Sequence, residues 1–266
     1  MQYEGRAVDL RNEPVSTEAV RAAIQGGTEK LTVDCPSASC WWADLAVPTD
    51  DTPPLDRVVA AARSRGHRPP VERKLAAAQR ELQTLSVETV DTASTRQRLA
   101  DAGREVERLR EEVATARGRL QSRREMNADT ADAESALADA TKRLSAAETE
   151  RIAAEQAHAA AQQRVREARE ARERRLRLQD RVANRQRDTR HALATAVSEA
   201  FSAAVDTVPG EASLSLDPLE TDGDDVTAAL AAARIADLQA PVVDSTGLFD
   251  SAAIAAETLG CRVLCV

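Results

Sequence analysis

Between Arg164 and Arg190 the chain carries eleven arginines and five acidic residues, a concentration of guanidinium groups suited to phosphate or carboxylate partners. Arg172, Arg174, Arg175, Arg177, Arg181 and Arg185 are the candidate contacts. On a helix they would meet either the acidic face of a protein partner or the phosphates of a nucleic acid. The same residues also read as a solvated helix face, with Glu170–Arg174 and Glu173–Arg177 at i,i+4 spacing. No aromatic residue is interleaved among them for base stacking. In concentrated salt the Debye length shrinks to about 3 Å. Both facts rank nucleic acid below a protein partner.

The other chemistry-bearing residues assemble less readily. Cys35 and Cys40, with Cys261 and Cys265, have the count for a four-cysteine zinc site. However, the second pair falls on an expected strand, where four residues span about 13 Å, too far to share one metal. Buried structural thiols are the expectation. Asp222-Gly-Asp-Asp225 is too short for a calcium loop and suits a helix cap. Asp244-Ser-Thr-Gly247 lies between an expected strand and helix, where backbone amides can hold a phosphate, but the motif is short. His67, His158 and His191 form no triad with a serine or cysteine. The adjacent Trp41 and Trp42 have two readings, a plug for a small core or an anchor for a docking partner. No catalytic residue, cofactor site or metal ligand is assigned, and the expected function is non-enzymatic.

The elements that must position these residues divide into three segments. Residues 1–70 and 208–266 read as the two parts of a small α/β head, and residues 71–207 as a helical arm inserted between them. The arm segment has no proline, and no glycine occurs between Arg119 and Pro209. It is filled with Ala, Arg, Glu, Leu and Gln, all strong helix formers. Leu99, Val106, Val113 and Leu120 recur at seven, with Ala102, Leu109 and Ala116 between them, giving an a/d heptad pattern. Breaks are expected at Val87–Thr92 and at Met126–Thr130. A helix from Ala131 to about Thr207 then carries the seam Ala133, Leu137, Ala140, Leu144, Ala147, Ala154, Ala161, Val165 and Ala168. Its seven-residue spacing falters between Leu144 and Ile152 and again toward Leu176, which predicts stutters. Folding back at the short turn makes an antiparallel coiled-coil hairpin.

In the first part of the head, Tyr3–Leu10 and Leu31–Cys35 read as strands around a helix ending at Ile24, with Gly26-Gly27 as its stop. A further helix runs from Leu55 to Arg65. In the second, Ser213–Leu216, Pro241–Asp244 and Arg262–Val266 read as strands, the last two joined by a helix in a parallel βαβ unit. The fold class is α+β, predominantly helical.

Composition bounds the setting. Only Lys30, Lys74 and Lys142 are lysines among 36 basic residues, and the net charge is −8. Residues 208–266 hold ten acidic residues and only two basic ones, Arg234 and Arg262. Carboxylates in excess keep a protein hydrated in brine, so a halophilic archaeal source is expected. No signal-like apolar stretch follows Met1, and no apolar run approaches the roughly 18 residues of a membrane span, so a cytoplasmic location is expected.

In outline, a hairpin between two halves of a head resembles the SMC-type chromosome and repair ATPases. Their phosphate loop, G-x-x-x-x-G-K-[S/T], has no match here; Gly26-Gly27-Thr-Glu-Lys30 lacks its length and its Lys-Ser/Thr pair. The hairpin tip also lacks the Cys-x-x-Cys of a zinc hook. The segments Ala60-Ala-Ala-Arg63-Ser-Arg-Gly66, Thr149-Glu-Arg-Ile-Ala-Ala-Glu155 and Arg172-Glu-Arg-Arg-Leu-Arg-Leu178 resemble an uncharacterised family of haloarchaeal coiled-coil proteins over nearly the whole chain. That resemblance implies the architecture and no activity. The expected function is a coiled-coil scaffold or tether, acting on protein partners or on a second copy. An accessory role in DNA repair or chromosome organisation, through residues 164–190, is the alternative.

Overall fold

A computed structural model describes residues 2–26 and 31–266. The expected helix stop at Gly27 and most of the stretch compared with a phosphate loop lie outside the described residues. The fold is α+β and predominantly helical, with a long helical hairpin inserted in sequence between the two parts of an α/β unit. In chain order the elements are β1 (Gln2–Tyr3), β2 (Ala7–Asp9), α1 (Thr17–Ile24), β3 (Thr32–Val33), α2 (Trp42–Leu45), α3 (Pro54–Ser64), α4 (Val71–Thr84) and α5 (Ala93–Glu125). They continue with α6 (Ala131–Val205), β4 (Ala212–Leu216), β5 (Leu219–Gly223), α7 (Asp225–Ile235), β6 (Val242–Asp244), α8 (Ala252–Leu259) and β7 (Val263–Cys265). By packing they form two units, Met1–Ala78 with Arg181–Val266, and Gln79–Asp180.

The α/β unit is organised around a parallel sheet of order β2-β7-β6. Its last strand pairs with its first, so the two ends of the chain meet there. Alternation along β7 divides the core. Val263 and Cys265 face a cluster with Phe201, Leu230, Phe249 and Leu259, while Leu264 faces another with Val20, Trp42 and Val243. Because helices cover both faces, every residue of β6 and β7 is buried, the pattern of a parallel sheet closed on both sides.

The expected strand over Tyr3–Leu10 is broken in two. Gly5 takes φ +134°, a conformation disfavoured for side-chain-bearing residues, and the chain leaves the β1–β3 pair there to enter the larger sheet as β2. Beyond the expected elements, β5 forms an antiparallel hairpin with β4 across the turn at Asp217-Pro218. The short α2 carries Trp42.

The Gln79–Asp180 unit is an antiparallel helical hairpin. As α5 climbs through Arg98, Arg110 and Arg124, their ion-pair partners descend α6 through Glu150, Glu148 and Glu134, at 2.6, 3.3 and 3.0 Å. Residues 85–92 are not helical, as the β-branched, cap-rich run there predicts. At the turn Asn127 adopts φ 53°, and an Asp129 carboxylate oxygen accepts the Ala131 N–H at 3.1 Å. Val106, Leu109, Val113 and Leu120 are buried on α5, and Ala140, Ala154, Ala161 and Ala168 are buried on α6.

One sequence expectation is corrected on α6. The spacing does not falter between Leu144 and Ile152, because Arg151 takes the seam position and Ile152 points outward at 50 % exposure. Leu144, Arg151, His158 and Val165 keep strict seven-residue spacing, all half-buried. Arg151 reaches Glu155 at 3.3 Å, and His158 Nδ1 meets the Thr95 hydroxyl at 3.2 Å. A long arginine stem can cover apolar surface while the end of its head reaches solvent and Glu155. The Arg151 Nε, however, is buried without a hydrogen-bond partner among the described residues. Further along, buried positions pass from Ala168 to Leu178, a step of seven plus three that departs from the heptad, and in this stretch Arg174 pairs with Glu81 of α4.

Candidate functional site

The arginine-rich stretch lies wholly on α6, and each unit contains part of it. In the hairpin unit Arg172, Arg174, Arg175 and Arg177 are exposed. Arg174 is engaged by Glu81 of α4 at 2.6 Å. Arg172, Arg175 and Arg177 make no ion pair among the described residues. Between them Leu176 is 61 % exposed. In the α/β unit Arg185 pairs with Asp188 at 3.0 Å, and Arg181 is exposed and has an interaction of its own. The six candidate arginines therefore differ in kind: three are uncommitted, and the others already have partners.

Of the two tryptophans, Trp42 is the core plug. It is 1 % exposed, and its indole N–H donates to the Pro241 carbonyl at 2.9 Å. Burial makes its ring inaccessible, so the anchor reading is withdrawn for Trp42. Trp41 is half-buried, with the Arg63 guanidinium over its ring at 5.0 Å, a cation–π contact that occupies one face.

The cysteines are all free thiols. Cys265 is buried on β7 and half-buried Cys261 lies four residues before it; burial is the first cause raising both thiols to about 11. Cys35 is raised for the same reason, and Cys40 is exposed. Among the described residues no cluster of three or more Cys, His, Asp and Glu is placed to share a metal ion. Asp224 caps α7, accepting the Thr227 N–H at 2.8 Å, as the sequence motif Asp222–Asp225 suggested.

Sequence reasoning missed the polar group at the carboxyl ends of the three parallel strands, where open α/β sheets usually bind ligands. Asp9 ends β2, Asp244 ends β6 and Cys265 ends β7. Arg11 binds both oxygens of Asp9 and donates to the carbonyls of Phe249 and Asp250 at 3.2 and 3.1 Å. The Arg11 hydrogen bonds hold the Asp9 carboxyl down at about 2. Buried Asp244 turns inward, accepting the N–H and hydroxyl of Thr246 at 3.1 and 2.7 Å, with the Cys265 thiol 3.8 Å away. The loop before α3 closes over this end: Val243 N–H donates to Ala46 and the Thr49 and Ser245 hydroxyls meet at 2.8 Å. Arg57, 1 % exposed, pins that loop by donating to the carbonyls of Asp44, Val47, Asp50 and Thr52 and to the Asp50 carboxylate. Burial lowers its affinity for the proton, and Asp50 opposes that effect. Every strong polar group here is satisfied within the fold, so the arrangement serves as a stopper. The sequence signal is slight: only Asp244 closes an expected strand, while Asp9 and Cys265 lie one residue inside theirs.

No helix among the described residues is long and apolar enough to cross a membrane. No curated protein and no solved structure matches the chain. A family model does match, over residues 5–263, and the chain accordingly belongs to DUF7856, a family of unknown function.

Proposed function

We propose that the protein is a non-enzymatic scaffold or tether that engages a protein partner through the hairpin unit by coiled-coil packing. The observation that carries this reading is Leu176, 61 % exposed on α6 and flanked by Arg172, Arg175 and Arg177 without ion-pair partners among the described residues. Arg172 lies one turn before Leu176 and shares its helix face. An apolar knob with cationic neighbours fits a partner helix that offers an apolar groove and acidic flanks. A second copy of the chain is a candidate partner. The arginine-for-lysine bias supports a halophilic source and the apolar pattern a cytoplasmic setting. The insertion of a hairpin in sequence supports an SMC-like outline without the motor.

The test is affinity isolation with crosslinking from native cells in concentrated KCl, using wild type and Leu176→Asp/Arg175→Glu. A partner crosslinked near α6 residues 172–179 in wild type and lost in the variant is the expected result. Equal recovery by both, with helicity unchanged, refutes the site.

Nucleic acid is the second reading, favoured by the three uncommitted arginines. A DNA titration at several salt concentrations should compare wild type with Arg172, Arg175 and Arg177 changed to Gln. A shallower salt dependence in the variant supports it; equal binding removes these residues from consideration.

A further inference from the structure

The amino ends of the same parallel strands differ from the stoppered carboxyl ends. A cleft of about 580 Å³ opens there, lined by Arg6 before β2, Arg234 in the last turn of α7 and Arg262 before β7. Arg6 and Arg262 are exposed and Arg234 is half-buried. Residues 208–266 hold ten acidic residues and only two basic ones, and both of those, Arg234 and Arg262, line this cleft. The register of β2 on β7, with Ala7 opposite Val263, brings Arg6 beside them from the other end of the chain.

These guanidinium groups are not used up by the fold. No ion pair joins Arg6, Arg234 or Arg262 to a carboxylate among the described residues, although Glu4 and Asp237 also line the cleft. Arg234 donates to the Thr258 carbonyl, which fixes its position without neutralising it. Arg262 reaches only the Asp34 carbonyl, at 3.5 Å. Arg6 has no side-chain hydrogen bond among the described residues. Other arginines of the same unit do pair with acids, as in Arg190–Asp56, Arg57–Asp50 and Arg11–Asp9. Arg65, Arg68, Arg73 and Arg187 also make no ion pair among the described residues, but they do not line the cleft. The cleft lining holds three arginines against Glu4 and Asp237, and the unpaired positive excess is one that a bound anion would relieve.

We propose that this cleft is a binding site for a small phosphorylated ligand, its phosphate held by Arg6, Arg234 and Arg262. Planar guanidinium forks give paired hydrogen bonds to phosphate oxygens, and the volume falls within the usual range for small-molecule sites. The site is independent of the hairpin surface, so either can fail without the other.

The test is calorimetric titration with inorganic phosphate, adenosine monophosphate and acetate at matched ionic strength, set by chloride, on the full chain. Wild type should bind both phosphates saturably and acetate far more weakly. Tighter binding of the nucleotide assigns the cleft to a phosphate ester, and equal binding assigns it to phosphate itself. Arg6→Gln and Arg262→Gln should each weaken phosphate binding by roughly tenfold, since each removes charge-assisted hydrogen bonds. Arg175→Gln, in the hairpin unit, should leave it unchanged. Arg6→Lys with Arg262→Lys keeps the charge and should still weaken binding by losing the paired geometry. Absence of saturable binding by wild type, phosphate affinity equal to that of acetate, or unchanged affinity in folded Arg6→Gln/Arg262→Gln overturns the proposal. Circular dichroism and melting establish that each variant is folded.

Discussion

The two ends of the β2-β7-β6 sheet are built to opposite specifications. At the carboxyl end the charged groups turn on one another: Arg11 clasps Asp9, Asp244 caps its own loop, and Arg57 pins the chain that covers them. At the amino end Arg6, Arg234 and Arg262 face a cleft without carboxylate partners among the described residues. Parallel α/β sheets commonly place ligands at the carboxyl end. Here that end has become structural, and unspent charge stands at the other. If this contrast is sound, substitutions at the carboxyl end should cost stability, whereas those at the amino end should change binding and little else.

The largest cost belongs to Arg57→Met. It would strip hydrogen-bond donors from four backbone carbonyls and leave Asp50 without its nearest cation. Removing one partner of a buried pair typically costs about 3–5 kcal/mol. Denaturant unfolding should show this loss as a lower midpoint with an unchanged slope. A variant within about 1 kcal/mol of wild type would mean that the loop over the carboxyl end is held by something else.

Asp244→Ala should rank next. It leaves the N–H and hydroxyl of half-buried Thr246 without their acceptor, a loss of about 1 kcal/mol, at the low end for an unsatisfied donor. The Cys265 thiol should also change, because the Asp244 charge helps burial to raise it. Its titration, followed by alkylation rate against pH, should move downward from about 11 in Asp244→Ala. An unmoved thiol would separate Cys265 from the carboxylate and weaken the picture of a closed polar group.

What was legible in the sequence follows the same divide between local and assembled features. The hairpin seam on α5 was readable because Leu99, Val106, Val113 and Leu120 repeat at seven, and periodicity is a local property. Helix caps were readable too, as Asp224 shows. Arg151 and His158 escaped because a seam search by apolarity selects Ile152, and only the geometry of a continuous helix sets which residue faces inward. The hairpin strand Leu219–Gly223 escaped because it is mostly polar. Neither sheet end is legible in the sequence, since Arg6 comes beside Arg262 only when β2 pairs with β7. The sequence leaves Trp42 between two roles, and its hydrogen bond to the Pro241 carbonyl assigns it to the core.

Acid should expose a smaller contribution from the carboxyl end. Asp9 titrates at about 2 in the folded chain against 3.8 for an ordinary aspartate, chiefly through its hydrogen bonds with Arg11. Because the folded value is the lower one, the ionised carboxylate adds stability that is complete above about pH 3.8 and fades as pH falls toward 2. The pair is partly exposed, so the effect is modest. In Arg11→Gln that part of the acid dependence should vanish, and the difference in melting temperature from wild type should narrow between pH 4 and pH 2. Parallel curves for the two proteins over this range would show that Arg11 does not act through Asp9.

The smallest expected change in stability is at the amino end, and it carries the opposite sign. Arg6→Gln and Arg262→Gln each remove one of three neighbouring like charges and no carboxylate pairing among the described residues. Exposed substitutions of this kind fall within about 0.5 kcal/mol of wild type. Relief of repulsion should make the ligand-free variants slightly more stable in low salt, and the gain should shrink as salt screens the charges over a Debye length of about 10 Å at 0.1 M. Melting curves from 0.05 M to 2 M KCl, without phosphate, test this directly. Phosphate should then reverse the order, stabilising wild type more than either variant, because only a state that binds the anion gains from its presence. A loss of stability in low salt, of the size expected for Asp244→Ala, would show that these arginines hold the fold together, and the two ends of the sheet would no longer differ in kind.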